Sequence, residues 1–158
     1  MRDRNKGFTL VELMVTVAVM AIALSFAIPS FTSSMNSAKA DTEIGDLYRA
    51  LNVARLEAIN RAKNVRVTPS TAGTWTSSLN VQAFTSGVAD PAGPIRVIPA
   101  MATSSVVTAS NAAYIEFNNL GALSSPATAV AIAYTRGAAT RSIGVCLTGR
   151  LILGGTCP

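Results

Sequence analysis

The stretch of residues 8–28 constrains the fold of this chain more than any other feature. Its 21 residues carry a single ionisable side chain, that of Glu12. As an α-helix the stretch would be about 32 Å long at about 1.5 Å per residue, enough to cross the hydrocarbon core of a bilayer. Arg2, Arg4 and Lys6 precede it, and the positive-inside rule places such a basic segment in the cytoplasm. We therefore expect a single-pass membrane protein whose C-terminal part is exported.

Three interpretations of this N-terminal segment compete. A cleaved secretory signal would use residues 25–27 as its small-x-small cleavage site, but the apolar run is longer than the usual 7–15 residues or so and contains an acid. An ordinary membrane anchor also leaves the acid unexplained. A carboxyl group inside a bilayer is costly and as a rule functional, with a defined partner. The third interpretation gives Glu12 such a role.

The sequence Gly7-Phe8-Thr9-Leu10-Val11-Glu12, followed by the apolar run and Pro29, resembles the prepilin peptidase site and N-terminal helix of the type IV pilin superfamily. The resemblance implies cleavage between Gly7 and Phe8 by a prepilin peptidase, and N-methylation of Phe8. It also implies that Glu12 pairs with the amine of a neighbouring subunit as a filament grows. The alternative is that Glu12 stays protonated and has no role in assembly.

The next part of the chain has the period of an amphipathic helix. Apolar residues recur at i, i+3, i+4 and i+7 between residues 44 and 62, which predicts that the helix continues over residues 29–64. Arg55 projects onto the apolar stripe. It either lies at the edge of the stripe, with its stem along apolar surface, or pairs with an acid such as Glu116.

Residues 65–158 have the pattern of a β-rich head. Glycine and proline separate short runs that favour strands, which we place at residues 65–68, 75–84, 95–98, 105–108, 113–117, 129–134, 141–147 and 151–153. No second helical pattern follows. The prediction is an α+β fold in which a leader of residues 1–7 precedes one long helix, membrane-spanning over 8–28 and amphipathic over 29–64, packed on an antiparallel sheet.

The head resembles the GspH/FimT family of minor pilins and pseudopilins. Four segments carry the resemblance: residues 51–61, Val65-Arg66-Val67, Ile115-Glu116-Phe117 with Gly121, and Thr148-Gly149-Arg150. It implies a minor type IV pilin, anchored in the inner membrane with its head in the periplasm, that helps to initiate or cap a pilus. Pseudopilin H of a type II secretion system and a DNA-binding minor pilin for natural transformation are the alternatives. Implied partners are other minor and major pilins or pseudopilins, the prepilin peptidase, the assembly platform and the membrane.

The DNA-binding alternative depends on three arginines near the C-terminus. Arg136, Arg141 and Arg150 are followed by no acid, and arginines on one face of a terminal hairpin could contact phosphates in a salt-sensitive way. DNA-binding relatives are expected to carry a Gly-Arg-x-Arg motif in this region. Ile152 stands where its second arginine belongs.

The composition argues against catalysis and metal binding. The chain has no histidine, so a serine or cysteine nucleophile would lack its commonest base. Two cysteines with scattered acids do not form a zinc site. We therefore predict no catalytic residue, no metal and no cofactor. In an oxidising compartment Cys146 and Cys157 are expected to form a disulfide.

Overall fold

One long helix and ten short strands make up the described part of the chain, residues 8–110 and 112–157 of a computed structural model. The predicted leader, residues 1–7, and with it Gly7 of the cleavage site lie outside the described residues. Helix α1 spans Leu10–Arg61 and continues through both Pro29 and Gly45. The α+β class predicted from the sequence is confirmed.

Helix α1 ends in a Schellman motif. Ala62 takes the left-handed conformation with φ of 52°. The Ala62 amide donates to the Ile59 carbonyl at 3.3 Å, and the Lys63 amide donates to the Ala58 carbonyl at 3.2 Å. This pair of bonds defines the motif, whose left-handed position is usually glycine. Because alanine occupies it here, the sequence carried no stop signal, and the predicted helix was a few residues too long.

The strands form two antiparallel sheets instead of the single sheet predicted. The first sheet has the order β3-β2-β1-β6-β7, with β4 also paired to β2, and the second has the order β10-β9-β8-β5. The division follows from the strand pairing, since β5 pairs with β8 and β6 pairs with β1, and no strand pair among the described residues joins the two sheets. The strands are β1 Asn64–Pro69, β2 Leu79–Thr85, β3 Val88–Ala89, β4 Arg96–Ile98, β5 Ser105–Ala109, β6 Ile115–Phe117, β7 Leu123–Ser125, β8 Val130–Arg136, β9 Ala139–Val145 and β10 Leu151–Leu153.

The predicted strand over residues 75–84 begins late, at Leu79. Trp75 lies in the turns before it, where its side chain is buried and its Nε1 donates to the Ala112 carbonyl at 2.9 Å. A buried indole needs such an acceptor, and a loop supplies it here. Strands β3 and β7 were not predicted.

The core of the head lies between α1 and the inner faces of the two sheets. The residues of α1 that are buried in this core are Ala40, Ile44, Leu47, Ala50, Leu51, Ala54 and Ala58. The boundary between the two compact units of the chain falls between Met35 and Asn36, so this core belongs entirely to the second unit. In the first unit every described large apolar side chain from Phe8 to Phe31 is exposed, and the helix there is long and apolar enough to cross a membrane.

Candidate functional site

The N-terminus of α1 has the residues of a capping box. The Glu12 amide donates to Thr9 Oγ1 at 3.2 Å, and the Leu13 amide donates to the Thr9 carbonyl at 3.2 Å. A threonine cap followed three residues later by glutamate satisfies free amides of the first turn, and an acid there also suits the helix dipole. The structure therefore places Phe8 directly before the cap, and Glu12 in the first turn with an exposed side chain. Pairing of Glu12 with a second subunit stays a prediction.

All six acidic side chains among the described residues of the head lie within salt-bridge distance of a basic side chain. Ten basic side chains occur in the same residues, so four of them, Lys39, Arg55, Arg96 and Arg150, have no acidic partner there. The excess positive charge of the described head therefore lies on these four side chains. The pairs are Asp41–Arg141, Glu43–Arg136, Asp46–Arg49, Glu57–Arg61, Asp90–Lys63 and Glu116–Arg66.

Two of the three arginines of the DNA hypothesis are paired with acids of α1. Arg136 is only 7% exposed and its guanidinium is paired, so we remove it from the proposed phosphate contacts. Arg141 Nε lies 2.6 Å from Asp41 Oδ1 on the helix. Arg150 is exposed in the loop between β9 and β10 and has no acidic partner among the described residues.

Glu43 is the centre of a polar cluster that ties α1 to the second sheet. Its Oε2 accepts hydrogen bonds from Ser105 Oγ at 2.6 Å and from Tyr134 Oη at 2.7 Å. Its Oε1 accepts from the Ala102 amide at 3.2 Å and lies 3.5 Å from Arg136 Nη1. Arg136 also donates to Ser105 Oγ at 3.0 Å and to Asn36 Oδ1 at 3.3 Å. One carboxylate thus joins the helix, the β4–β5 loop and two strands.

The electrostatics of this cluster favour the ionised carboxylate. Burial opposes ionisation of Glu43, but the hydrogen bonds from Ser105, Tyr134 and the Ala102 amide, together with the charge of Arg136, outweigh it. The pKa of Glu43 therefore lies below its usual value. Burial raises the pKa of Tyr134, and the Glu43 carboxylate acts in the same direction. Sequence reasoning assigned Glu43 no role, although its position next to the buried Ile44 was a signal that it lies near the core.

We expect Glu43→Gln to lower the free energy of unfolding of the head by about 2 kcal/mol at neutral pH, because the Arg136 guanidinium loses the one anionic partner that it has among the described residues. The folded-state pKa of Glu43 is depressed, so the stabilisation is complete above its unfolded pKa near 4.5 and is lost as the pH falls through the folded value. The difference between the variant and the wild type should therefore shrink in acid. Urea titrations of the soluble head at several pH values measure this.

The matched control for Glu43→Gln is Asp46→Asn, which breaks the surface ion pair with Arg49. The side chain of Asp46 is 50% exposed and that of Arg49 is 67% exposed. We expect a loss within about 0.5 kcal/mol, since exposed ion pairs contribute little. Equal losses for the two variants, or a Glu43→Gln difference that does not vary with pH, would contradict the assigned role of the cluster.

A second polar cluster lies on the outer face of the first sheet. Arg66 Nη2 lies 2.7 Å from Glu116 Oε2, and its guanidinium carbon lies 4.0 Å from the centroid of the Phe84 ring and 3.8 Å from that of Tyr114. Asn64 Nδ2 donates to Glu116 Oε1 at 2.9 Å. Stacking between two rings fixes the cation and strengthens its attraction to them. The cluster gives a structural role to two of the segments that carry the family resemblance, Val65-Arg66-Val67 and Ile115-Glu116-Phe117. These segments are cross-strand neighbours in β1 and β6.

Arg55, by contrast, does not pair with Glu116. Its Nε donates to the Gly121 carbonyl oxygen at 3.0 Å, at the edge of the helix stripe. Gly149 lies against the same carbonyl group. Helix α1, the β6–β7 loop and the β9–β10 loop therefore meet at the Gly121 carbonyl, although they are far apart in the sequence.

The predicted disulfide between Cys146 and Cys157 is present, with a Cα–Cα distance of 5.4 Å. It holds the C-terminal segment against β9 at Gly144. A Cβ at Gly144 would lie 2.9 Å from the Gly155 carbonyl oxygen, so the close approach of the two backbones requires glycine there.

Comparison with known proteins agrees with this architecture. The chain matches the family model of type II transport protein GspH over residues 43–150 and the prokaryotic N-terminal methylation motif over residues 2–28. It is similar to PilA5, the major component of the type IV narrow pilus of Thermus thermophilus. The two are 36% identical over 86 residues, which are 49% of this chain and 74% of PilA5.

Solved structures share the fold. The type IV minor pilin FimU of Pseudomonas aeruginosa PAO1 is similar with a TM-score of 0.63 and 22% identity, over 79% of this chain and 92% of FimU. The minor pseudopilin EpsH of the Vibrio cholerae type 2 secretion system is similar with a TM-score of 0.54 and 13% identity, over 73% of this chain and 95% of EpsH.

An exposed apolar helix that is capped by Thr9 and has an acid in its first turn, together with a head of two antiparallel sheets, is typical of a type IV pilin-like subunit. The family-model match covers more than half of the chain. The chain therefore belongs to the GspH family, and it is a minor type IV pilin or pseudopilin.

Proposed function

We propose that this chain is a minor type IV pilin that helps to initiate or cap a pilus. A prepilin peptidase cuts it between Gly7 and Phe8, and the new amine of Phe8 is methylated. The apolar part of α1 holds it in the inner membrane, with the head in the periplasm, until the assembly platform inserts it into a filament. One observation carries the proposal: Phe8 directly precedes the capped start of an exposed apolar helix that carries an acid in its first turn.

The exposure of this helix supports assembly as the function. Its large apolar side chains, from Phe8 to Phe31, are at least half exposed. Outside a bilayer such a surface is unfavourable, by roughly 25 cal/mol per Å². Lipid covers it before assembly, and the helices of neighbouring pilins or pseudopilins cover it afterwards. The family and fold are those of structural pilin subunits.

The methylation motif leads to a prediction about the mature N-terminus. Intact-mass analysis of the chain from its native host should show a polypeptide that begins at Phe8 and is heavier by one methyl group. Loss of the prepilin peptidase should leave the unprocessed chain in the membrane. A mature chain that begins at Ile28 would instead indicate an ordinary secretory signal and would contradict the proposal.

A pseudopilin of a type II secretion system is the alternative role within the family. The family model is that of a type II transport protein, whereas PilA5 and FimU belong to pili. Deletion of the gene decides between them, because the two systems have different products. Loss of surface pili with normal secretion supports the pilus, and loss of secretion with normal pili supports the pseudopilus.

Arg150 favours DNA binding as a second candidate function. It is an exposed arginine of the β9–β10 loop without an acidic partner among the described residues, next to the exposed Thr148 hydroxyl. A guanidinium in such a position can contact phosphate oxygens, an attraction that is independent of sequence and weakens with salt.

For DNA binding we expect the oxidised soluble head to bind duplex DNA at low salt and to lose affinity as salt rises. Arg150→Gln should weaken binding and reduce the salt slope by about one. The matched control is Arg96→Gln, which removes the same charge from an exposed arginine of β4. Equal effects of the two variants would indicate attraction by net charge alone, and no binding at low salt would leave filament assembly as the sole function.

A further inference from the structure

Two of the four basic side chains that lack an acidic partner in the described head belong to one contact. Arg55 of α1 lies against Gly149, since a Cβ at Gly149 would be 3.1 Å from Arg55 Nε, and Arg150 follows Gly149 directly. All six acidic side chains of the described head are within salt-bridge distance of other basic side chains. Positive charge therefore accumulates where α1 meets the β9–β10 loop.

The guanidinium of Arg55 is fixed in place but only partly engaged. Its Nε donates to the Gly121 carbonyl at 3.0 Å, which is its one hydrogen bond to the described residues. Because no buried side-chain nitrogen in those residues lacks a hydrogen-bond partner, Nη1 and Nη2 of Arg55 reach solvent. Two parallel N–H donors match the two oxygens of a carboxylate, and a guanidinium that is already held loses little entropy on binding one.

Exposed aliphatic side chains lie beside this guanidinium. A Cβ at Gly121 would be 2.6 Å from Ile59 Cδ1, so the Ile59 side chain lies over Gly121, and Leu120 is the preceding residue. Leu56 precedes Ile59 by three residues and so lies on the same side of α1. Leu56, Ile59 and Leu120 are 57%, 44% and 79% exposed. One exposed leucine is ordinary on a protein surface, whereas several around a fixed arginine indicate an interaction site.

We call the surface formed by Arg55, Leu56, Ile59, Leu120 and Arg150 the Arg55 face. We propose that it binds a protein other than this chain that presents a carboxylate beside aliphatic side chains. The carboxylate pairs with the two arginines, and the aliphatic side chains cover the leucines and the isoleucine. A DNA backbone would match only the charge and would leave the apolar part of the face in water. The proposal goes beyond filament assembly, which depends on the apolar part of α1.

Charge and position argue against two other occupants of the Arg55 face. A second copy of this chain would bring unpaired arginines together, and every acid of its described head already has a basic neighbour. An anionic lipid surface would have to reach far along the head. The head begins at Asn36, and Ile59 lies about 35 Å further along α1, at about 1.5 Å per residue.

The test uses the full-length chain in its native host, with a benzophenone amino acid at position 120. The matched control carries it at position 88, since Val88 is 70% exposed and lies in β3. Ultraviolet irradiation should give an adduct between position 120 and one protein other than this chain. Mass spectrometry should locate the adduct in a peptide with Asp or Glu beside Leu, Ile or Val. Position 88 should give little or none.

A charge swap provides the second measurement. Arg150→Glu should lower the yield of the adduct at position 120 about tenfold, because repulsion replaces attraction. The control is Arg96→Glu, since Arg96 is an exposed arginine of β4 that also lacks an acidic partner among the described residues, and its yield should stay near wild type. Replacing the carboxylate of the cross-linked peptide by lysine should restore the yield of Arg150→Glu. If Arg150→Glu misfolds, the adducts at positions 120 and 88 decide.

Several results would overturn the proposal: no adduct at position 120, equal adducts at positions 120 and 88, or adducts only with a second copy of this chain, with lipid or with DNA. Equal effects of Arg150→Glu and Arg96→Glu would do the same. The proposed function fails in a different way. If the chain never enters filaments but position 120 still gives the adduct, the role in assembly is wrong and the Arg55 face remains a binding site.

Discussion

Replacing Gly149 by alanine should cost the head at least about 3 kcal/mol of its free energy of unfolding. Gly149 has a φ of +77°, and a Cβ there would overlap the Gly121 carbonyl oxygen and lie 2.9 Å from its carbon. Both obstacles are backbone atoms. The Gly121 carbonyl cannot turn aside freely, because its oxygen accepts the hydrogen bond from Arg55 Nε. The variant must therefore move a loop, break that bond, or both.

The control for Gly149 is Gly73→Ala. Gly73 has almost the same φ, +74°, but a Cβ there would meet no atom within 4 Å. It should lose only the roughly 1–2 kcal/mol that a left-handed conformation costs a residue with a side chain. Denaturant unfolding of the oxidised head measures both variants. Equal losses would show that conformation, not the contact with Gly121, accounts for the need for glycine at position 149.

The contact of Gly149 and Arg55 with the Gly121 carbonyl shows what could be predicted from the sequence and what could not. The order of the family-like segments in the helix, around Gly121 and at positions 148–150 was evident from the residues. Their meeting in space was not, because the contacts join residues 66 positions apart in the case of Arg55 and Gly121. Only the tertiary fold shows that these segments form one structural contact.

The helix and the general β character of the head were predictable because their signals are local. A long apolar run and a 3.6-residue period specify α1, and a Schellman motif built on Ala62 shifts only its end. The division into two sheets was not predictable. It depends on which strands pair: β5 with β8, and β6 back to β1.

For a related reason, the charge pattern near the C-terminus did not show that Arg136 and Arg141 have acidic partners. Arg136 and Arg141 look free in the sequence because no acid follows Glu116. Their partners, Glu43 and Asp41, lie on α1, about 100 residues earlier, and are brought to them by the packing of the helix on β8 and β9. Arg150 alone keeps the exposure that the DNA hypothesis required of all three.

Glu12→Ala should reduce incorporation of the chain into filaments at least about a hundredfold. If Glu12 pairs with the N-terminal amine of a neighbouring subunit in a nonpolar environment, its removal leaves that amine uncompensated, at a cost of about 3 kcal/mol or more. Insertion into the membrane should persist, since loss of a carboxyl group makes the span more apolar. Quantitative immunoblots of sheared filaments and of membranes measure the two steps separately.

The capping box offers a competing explanation of Glu12, and Glu12→Gln separates the two. Glutamine can replace glutamate at the third helical position of a capping box, so this variant keeps the cap with Thr9 and loses only the charge. If charge pairing drives assembly, Glu12→Gln should be almost as defective as Glu12→Ala. Normal assembly of the glutamine variant would instead indicate that Glu12 acts by stabilising the first turn of α1. Normal assembly of both variants, at wild-type levels in the membrane, would show that the acid has no part in filament growth.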